Sequence, residues 1–328
     1  MKCAVIEKFG REVNNLVIQQ RPDLEASGEF VRIRVTATSL NRADLLQRRG
    51  LYPAPVGAPQ DVPGLEFVGT IDQIGERVTE WQGGERVFGV VAGGGYAEQV
   101  VSHQRLVVVV PEELDDVEAA AVPEAFMVAY DALVSQAEFR SGSVVLIHAV
   151  AGGIGTAAVQ LVHLLGGKSI GTAGSDEKLA EVQALAPFTG INYRKEDFLE
   201  VVVSKFGQDS VDIVLDTIGA GYWQKNLAVL RDGGRLVLLG LLGGAKAETP
   251  LAMILSKRLR LVGSTLRARP LEEKIAVTQR FAREVLPHFK TGKLKAVVDS
   301  VYPFTELHAA TLRMERNENI GKIVLRLQ

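Results

Sequence analysis

Three glycines, Gly152, Gly153 and Gly155, follow closely on the run Val144-Val145-Leu146-Ile147, and Ala157, Ala158, Leu161, Leu164 and Leu165 recur after them at helical spacing. Four consecutive apolar residues, three of them β-branched, predict a strand buried on both faces, as in a parallel sheet. A strand, a glycine turn and a helix in this order leave backbone N–H groups and a helix N-terminus facing one spot, which suits a pyrophosphate. Gly152 lets the phosphates approach the backbone, and Gly155 lets the helix pack closely on the strand. Val150 stands at the first glycine position of the dinucleotide fingerprint, so the pattern is incomplete. A tight strand-to-helix turn in some other doubly wound fold carries the same local signature.

The residues one strand later bear on which dinucleotide would fit. Lys168 to Ala173 reads as the next strand and ends at Gly174-Ser175-Asp176-Glu177-Lys178. An NAD site wants a carboxylate about 20 residues past the glycines, where it accepts from the ribose 2′-hydroxyl. Here that place falls on Gly174, which leaves room for a 2′-phosphate, with Lys178 placed to supply charge and Ser175 a hydrogen bond. NADPH is therefore favoured over NADH. The same residues also suit a plain helix start, with Ser175 as N-cap and Asp176 and Glu177 on the helix dipole. Asp176 is moreover within reach of the ribose.

Composition limits what else the chain could do. Its 328 residues are enough for two domains with separate cores, and the net charge of −2 without any block of like charge argues against nucleic-acid or membrane-surface binding. No apolar run approaches a membrane span, and Met1 to Ile6 reads as a first strand rather than a signal peptide. The single cysteine, Cys3, excludes an internal disulfide and suits a reducing, cytoplasmic setting. The five histidines are scattered, with no pair at metal-ligand spacing, so no metal is expected. Arg258, Arg260, Arg267 and Arg269 form a sparse basic stretch, read as solvated or near a cofactor. His148, ending the first strand of the glycine unit, reads as a packed structural histidine.

The elements that must position these residues fall into an α/β arrangement. Residues 1–122 are rich in glycine and proline with short alternating runs, such as Phe30 to Val35 and Phe67 to Ile74, and predict an antiparallel β domain. Residues 123–262 alternate helix and strand and predict a doubly wound parallel sheet, with later strands at Val211 to Leu215 and Arg235 to Leu239. Residues 263–328 return to the first domain through a long helix near Leu271 to Phe289 and a closing strand at Lys322 to Leu327.

Motifs spread over nearly the whole chain carry a resemblance. They include Ser39-Leu40-Asn41-Arg42-Ala43-Asp44-Leu45, Gly50-Leu51-Tyr52-Pro53, Pro63-Gly64-Leu65-Glu66, Ala119-Ala120-Ala121-Val122-Pro123-Glu124, Asn192-Tyr193, Gly240-Leu241-Leu242-Gly243-Gly244 and Asn319-Ile320-Gly321-Lys322-Ile323-Val324-Leu325. With them the chain resembles the medium-chain dehydrogenase/reductases, in their zinc-free, zeta-crystallin-like quinone oxidoreductase branch. The resemblance implies a GroES-like β-rich catalytic domain with an inserted Rossmann domain, and a cofactor and substrate that meet in the cleft between the two. Relatives with catalytic zinc have a cysteine near position 39 and a histidine after Gly64, where this chain has Ser39 and Leu65. The four-cysteine structural site is missing too. Without a Lewis acid, what remains suits hydride delivery to an already electrophilic acceptor, a quinone or another activated enone.

Residue by residue, the resemblance places Tyr52 at the nicotinamide side, with Asn41 and Asp44 facing the nicotinamide to steer a substrate oxygen. Each has a bland counterpart: Tyr52 as a loop aromatic, Asn41 satisfying backbone groups, Asp44 paired with Arg42 or Arg48. Gly152, Gly153 and Ile154 are implied at the pyrophosphate, and Gly174, Ser175, Lys178 and Tyr193 at the 2′-phosphate. Gly240, Leu241, Leu242, Ser264, Thr265 and Leu266 are implied at the carboxamide by backbone groups, and Asn319 is implied as a further cofactor contact. Val128 stands where many relatives have a threonine, and Glu85 replaces the aspartate of the Gly-Asp-Arg-Val turn. Two other functions remain open, 2-enoyl thioester reduction and a largely non-catalytic, crystallin-like NADPH-binding protein. The resemblance also implies a homodimer joined through the edges of the Rossmann sheets. The apolar run Leu236 to Leu242 and the stretch Leu259 to Gly263 supply strands near that edge.

Overall fold

Alternation in the first third and long apolar runs in the middle third produce two kinds of sheet. The computed structural model describes residues 1–327. Its strands are, first, β1 (Lys2–Ile6), β2 (Leu16–Gln20), β3 (Phe30–Ser39), β4 (Glu66–Ile74), β5 (Arg86–Val90), β6 (Gln99–His103) and β7 (Val107–Val109). Next come β8 (Val144–Ile147), β9 (Lys168–Ala173), β10 (Thr189–Asn192), β11 (Val211–Asp216), β12 (Leu230–Leu238) and β13 (Arg260–Gly263). The last two are β14 (Val298–Pro303) and β15 (Lys322–Arg326). The chain divides into two units, one of Met1–Met127 with everything from Leu266 onward, the other Val128–Thr265. The helix Pro123–Tyr130 runs across that division in the chain.

The first unit carries a seven-stranded sheet in the order β14-β15-β3-β4-β5-β7, with β6 also paired to β3, and a separate β1-β2 pair. All its pairings are antiparallel except β14 with β15. Along β3, Val31, Ile33, Val35 and Ala37 are buried while the residues between them are more open, the two-residue period of a half-buried strand. Val31, Ile33 and Val35 meet Phe67, Ile71, Val87 and Val100 in the core beneath the sheet.

The second unit is a six-stranded sheet in the order β10-β9-β8-β11-β12-β13, parallel throughout. Both faces of β8 and β11 are covered, so Val145, Leu146, Ile147, Val214 and Leu215 are essentially inaccessible to water. The strand order departs in opposite directions from β8 and β11. In open parallel sheets, ligands bind at the carboxyl ends of the strands at such a switch point.

Three local expectations are corrected. The helix expected over Leu271 to Phe289 is two helices, Leu271–Glu284 and Pro287–Lys290, because Pro287 lacks the N–H that would continue the first. The apolar run to Leu242 leaves the sheet at Leu238, where the N–H groups of Leu239 and Gly240 turn back onto Asp216 O. Arg267 is buried rather than solvated.

Candidate functional site

In the second unit, β8 leads into the helix Gly153–Leu164 with Gly152 as its N-cap. The first N–H groups of a helix have no partner within it, so those of Gly153 and Ile154 point out of its N-terminus. Ala149, just before the glycines, takes the left-handed φ of 52°. A side chain at Gly155 would meet Ala149 O and Val150 O, each at 2.5 Å, so only glycine allows this approach of helix to turn. His148 is buried at the strand end, with Nδ1 at 2.9 Å from Thr172 Oγ1 and Nε2 at 2.7 Å from Asn226 Oδ1. Burial lowers its pKa to about 4, which keeps the ring neutral.

At the end of β9, Ser175 Oγ accepts the Lys178 N–H at 3.3 Å and caps the helix Asp176–Gln183. A Cβ at Gly174 would lie 2.7 Å from the Tyr193 hydroxyl and 3.5 Å from Arg194 Nε, so the missing side chain keeps the space beneath these two groups open. Asp176 does not turn toward this space. Its oxygens accept from Asn192 Nδ2 (2.7 Å) and Lys195 Nζ (2.5 Å), and the Lys195 bond holds its pKa below the usual range. Tyr193 thus stands over Gly174 beside Ser175, and the Arg194 guanidinium, which the sequence did not single out, joins them, while Lys178 follows in the first turn of the capped helix.

The other candidates of this unit and of the C-terminal segment lie in turns and strand ends. The N–H groups of Gly240 and Leu242 donate to Asp216 O (3.3 Å) and Thr217 O (3.2 Å). The Leu241 and Leu242 side chains are exposed. Ser264 N–H extends β13 onto Leu238 O, Thr265 is exposed, and Leu266, in the first unit, is buried. Asn319 turns its amide onto Gly321 O at 2.8 Å and closes the turn before β15. The Asp216 Oδ2 and Thr217 Oγ1 atoms are buried without a hydrogen-bond partner at the end of β11.

The first unit gathers the other candidates around one buried carboxylate. Glu66 Oε1 accepts from Ser39 Oγ (2.6 Å), Asn41 Nδ2 (2.7 Å) and Lys322 Nζ (2.8 Å), and Oε2 accepts from Glu124 N (2.9 Å). Lys322 also donates to Leu40 O (2.9 Å) and Asn41 Oδ1 (2.5 Å), so its three N–H bonds are all engaged. Asn41 is therefore held by Glu66 and Lys322. Asp44 is engaged likewise. It is 4% exposed, and its oxygens accept from Asn41 N (2.7 Å), Gly64 N (3.1 Å) and Tyr96 Oη (2.8 Å). It pairs with neither Arg42 nor Arg48; Arg48 bonds Glu315 and Arg42 bonds Asn317. Burial raises the Asp44 pKa to about 6.

Tyr52 is half-buried, with the Arg267 guanidinium 5.2 Å above its ring. Arg267 donates to Tyr52 O (3.2 Å), Ala92 O (2.6 Å) and Gln47 Oε1 (2.5 Å), and so pins the Tyr52 loop. Burial pushes the Tyr52 phenol pKa up. Glu66, Lys322 and Gln47 were not singled out from the sequence as site residues.

Zinc does not fit these residues. Among the described residues no three His, Cys, Asp or Glu side chains are grouped to hold a metal, Leu65 is buried and apolar, and the Ser39 hydroxyl already bonds Glu66. A dinucleotide does fit the second unit, through the helix N-terminus after Gly152 and the space over Gly174. Among the described residues, no helix is long and apolar enough to cross a membrane.

Comparison with known proteins agrees with the pairing of these two kinds of sheet. Residues 27–112 match the alcohol dehydrogenase GroES-like domain, and residues 153–283 match the zinc-binding dehydrogenase domain. The chain is 30% identical to the quinone oxidoreductase of Homo sapiens over 305 residues, covering 90% of this chain and 89% of that protein. The structure of a Pseudomonas syringae quinone oxidoreductase superposes with a TM-score of 0.89 at 26% identity, covering 99% of both chains. The CurK enoyl reductase does so with a TM-score of 0.85 at 29% identity, again over 99% of both.

Proposed function

Because the chain belongs to the medium-chain dehydrogenase/reductase superfamily, we propose that it is a zinc-independent, NADPH-dependent reductase of quinones or related electrophilic enones. The observation that carries this reading is the convergence of Ser39, Asn41 and Lys322 on Glu66 Oε1, beside the apolar Leu65. It leaves no open-coordination metal to polarise an alcohol or an unactivated carbonyl, so the acceptor must itself be electrophilic. Bound NADPH would supply the hydride. Gly152, Gly153 and Ile154 hold its pyrophosphate in this reading, and Ser175, Lys178 and Tyr193 its 2′-phosphate beside Gly174. Tyr52, fixed by Arg267, lines the acceptor side.

The CurK likeness favours a second reading, reduction of an enoyl thioester. The experiment follows NADPH and NADH absorbance with a panel of benzoquinones, naphthoquinones and crotonyl thioesters. Turnover of quinones with NADPH preferred is the expected outcome. Thioester turnover alone would replace the substrate, and equal use of NADH would remove the 2′-phosphate assignment.

We also propose a cytoplasmic homodimer joined through the edge of the parallel sheet. The edge strand β13 and the exposed Leu251 and Leu255, one turn apart on Leu251–Ser256, support that contact. Light scattering at micromolar concentration is expected to give twice the chain mass. A fully active monomer would exclude the dimer.

A further inference from the structure

Reduction of a quinone or enone requires a proton as well as a hydride, and the first unit holds several groups that could give one. Most are already engaged. Asp44 accepts three hydrogen bonds and is all but sealed from water. Glu66 accepts four. The Lys322 ammonium has all three N–H bonds occupied, and a guanidinium such as Arg267 does not release a proton near neutral pH. The Tyr52 phenol is a weaker acid than usual because it is desolvated.

Glu124 differs from all of these. It lies in the first turn of the helix Pro123–Tyr130, its backbone N–H donates to Glu66, and its side chain is half-buried. Among the described residues its carboxyl makes no hydrogen bond, although it is close enough to Glu66, Lys322, Asp44, Arg267 and Tyr52 to feel or exert their charge. An acid with no donor to stabilise its anion, on a residue that is not wholly buried, is arranged to hold a proton and to recover it.

We infer that Glu124 is the proton donor for reduction of the acceptor, an assignment that rests on the reductase reading above. In this step the acceptor receives two electrons and one hydrogen as hydride from the bound nicotinamide. The Glu124 O–H bond breaks and an O–H bond forms on the reduced acceptor. Glu124 is left as a carboxylate, which water reprotonates. Burial, reinforced by the charge of Glu66 on β4, pushes its pKa up to about 8. Lys322 on β15 opposes that shift, Asp44 in the helix Arg42–Arg48 adds to it, and Arg267 opposes it. A general acid works best with a pKa near the operating pH.

The test compares the wild type with Glu124→Gln, which keeps the shape and the backbone bond to Glu66, and with Glu124→Asp, which keeps the acid. In carbon-13 glutamate-labelled protein without cofactor, the carboxyl resonance absent from Glu124→Gln should titrate near pH 8. A midpoint in the ordinary range of about 4 overturns the assignment whatever the activity. With NADPH and a benzoquinone, wild-type kcat should fall above pH 8. Glu124→Gln should lose about 100-fold in kcat, with a flat pH profile and an unchanged KM for NADPH, and Glu124→Asp should recover part of the rate. A Gln variant that keeps the wild-type rate, or loses rate while keeping the wild-type pH profile, overturns the assignment and leaves the quinone reading intact. A wild type that fails to oxidise NADPH with any quinone or enone offered overturns both.

Discussion

At Arg267 a single side chain joins Ala92, Tyr52 and Gln47, which lie 175, 215 and 220 residues away in sequence. Its planar fork directs Nε and both terminal nitrogens to three different acceptors, and an ammonium cannot reproduce that geometry. Arg267→Lys is therefore expected to lower stability by about 2 kcal/mol, on the scale of losing charge-assisted hydrogen bonds from a buried site. It should also raise the KM for the acceptor more than that for NADPH, because the Tyr52 loop is released. Denaturant midpoints and steady-state kinetics would check both, and an unchanged midpoint would show that the fork does not hold the loop. The sequence shows which residue types are present here, but not their meeting. Lys322 and Glu66 are 256 residues apart, and no periodicity connects them. For Asn41 and Asp44 a local signal does exist. Three positions apart just before an apolar run, they have the spacing of a capping box, and Asp44 accepts the Asn41 N–H in that way.

At the scale of elements, much more is legible, because strands and turns answer to neighbouring residues. The run Lys168 to Ala173 coincides with β9, and Val144 to Ile147 with β8. The alternation from Phe30 also marks a strand, although β3 continues to Ser39 once β15 pairs with its far end. Boundaries fail where a distant partner decides them, as at Leu238, where Asp216 O draws the chain out of the sheet. The glycine turn makes a sharp prediction at this scale. Gly155→Ala would drive a methyl into two backbone carbonyls that cannot move independently, so the helix must shift away from the turn. A loss of about 2–4 kcal/mol in stability, with weaker dinucleotide binding, is expected from such overpacking. Calorimetry and fluorescence titration with NADPH would measure the two effects. Full stability in the alanine variant would mean that the helix has room to give.

Over the whole molecule, the two units differ in how they draw on the chain. The parallel sheet is built from the continuous stretch Val128–Thr265, whereas the other unit is assembled from the segments on either side of that stretch. The strand order of that discontinuous sheet was not legible in the sequence, because β15 is inserted between β14 and β3, and pairing of segments so far apart leaves no local trace. Translation delivers these pieces in a fixed order. As β13 clears the ribosome, the parallel sheet has every strand it needs, and a chain made at about 5–20 residues per second gives it seconds to form. At that moment β3 still lacks the neighbour that will cover its Ala37–Ser39 end, and Glu66 still lacks the Lys322 ammonium. The segment made before the parallel sheet is thus completed after it, with one strand edge open and Glu66 short of its cation until β15 arrives.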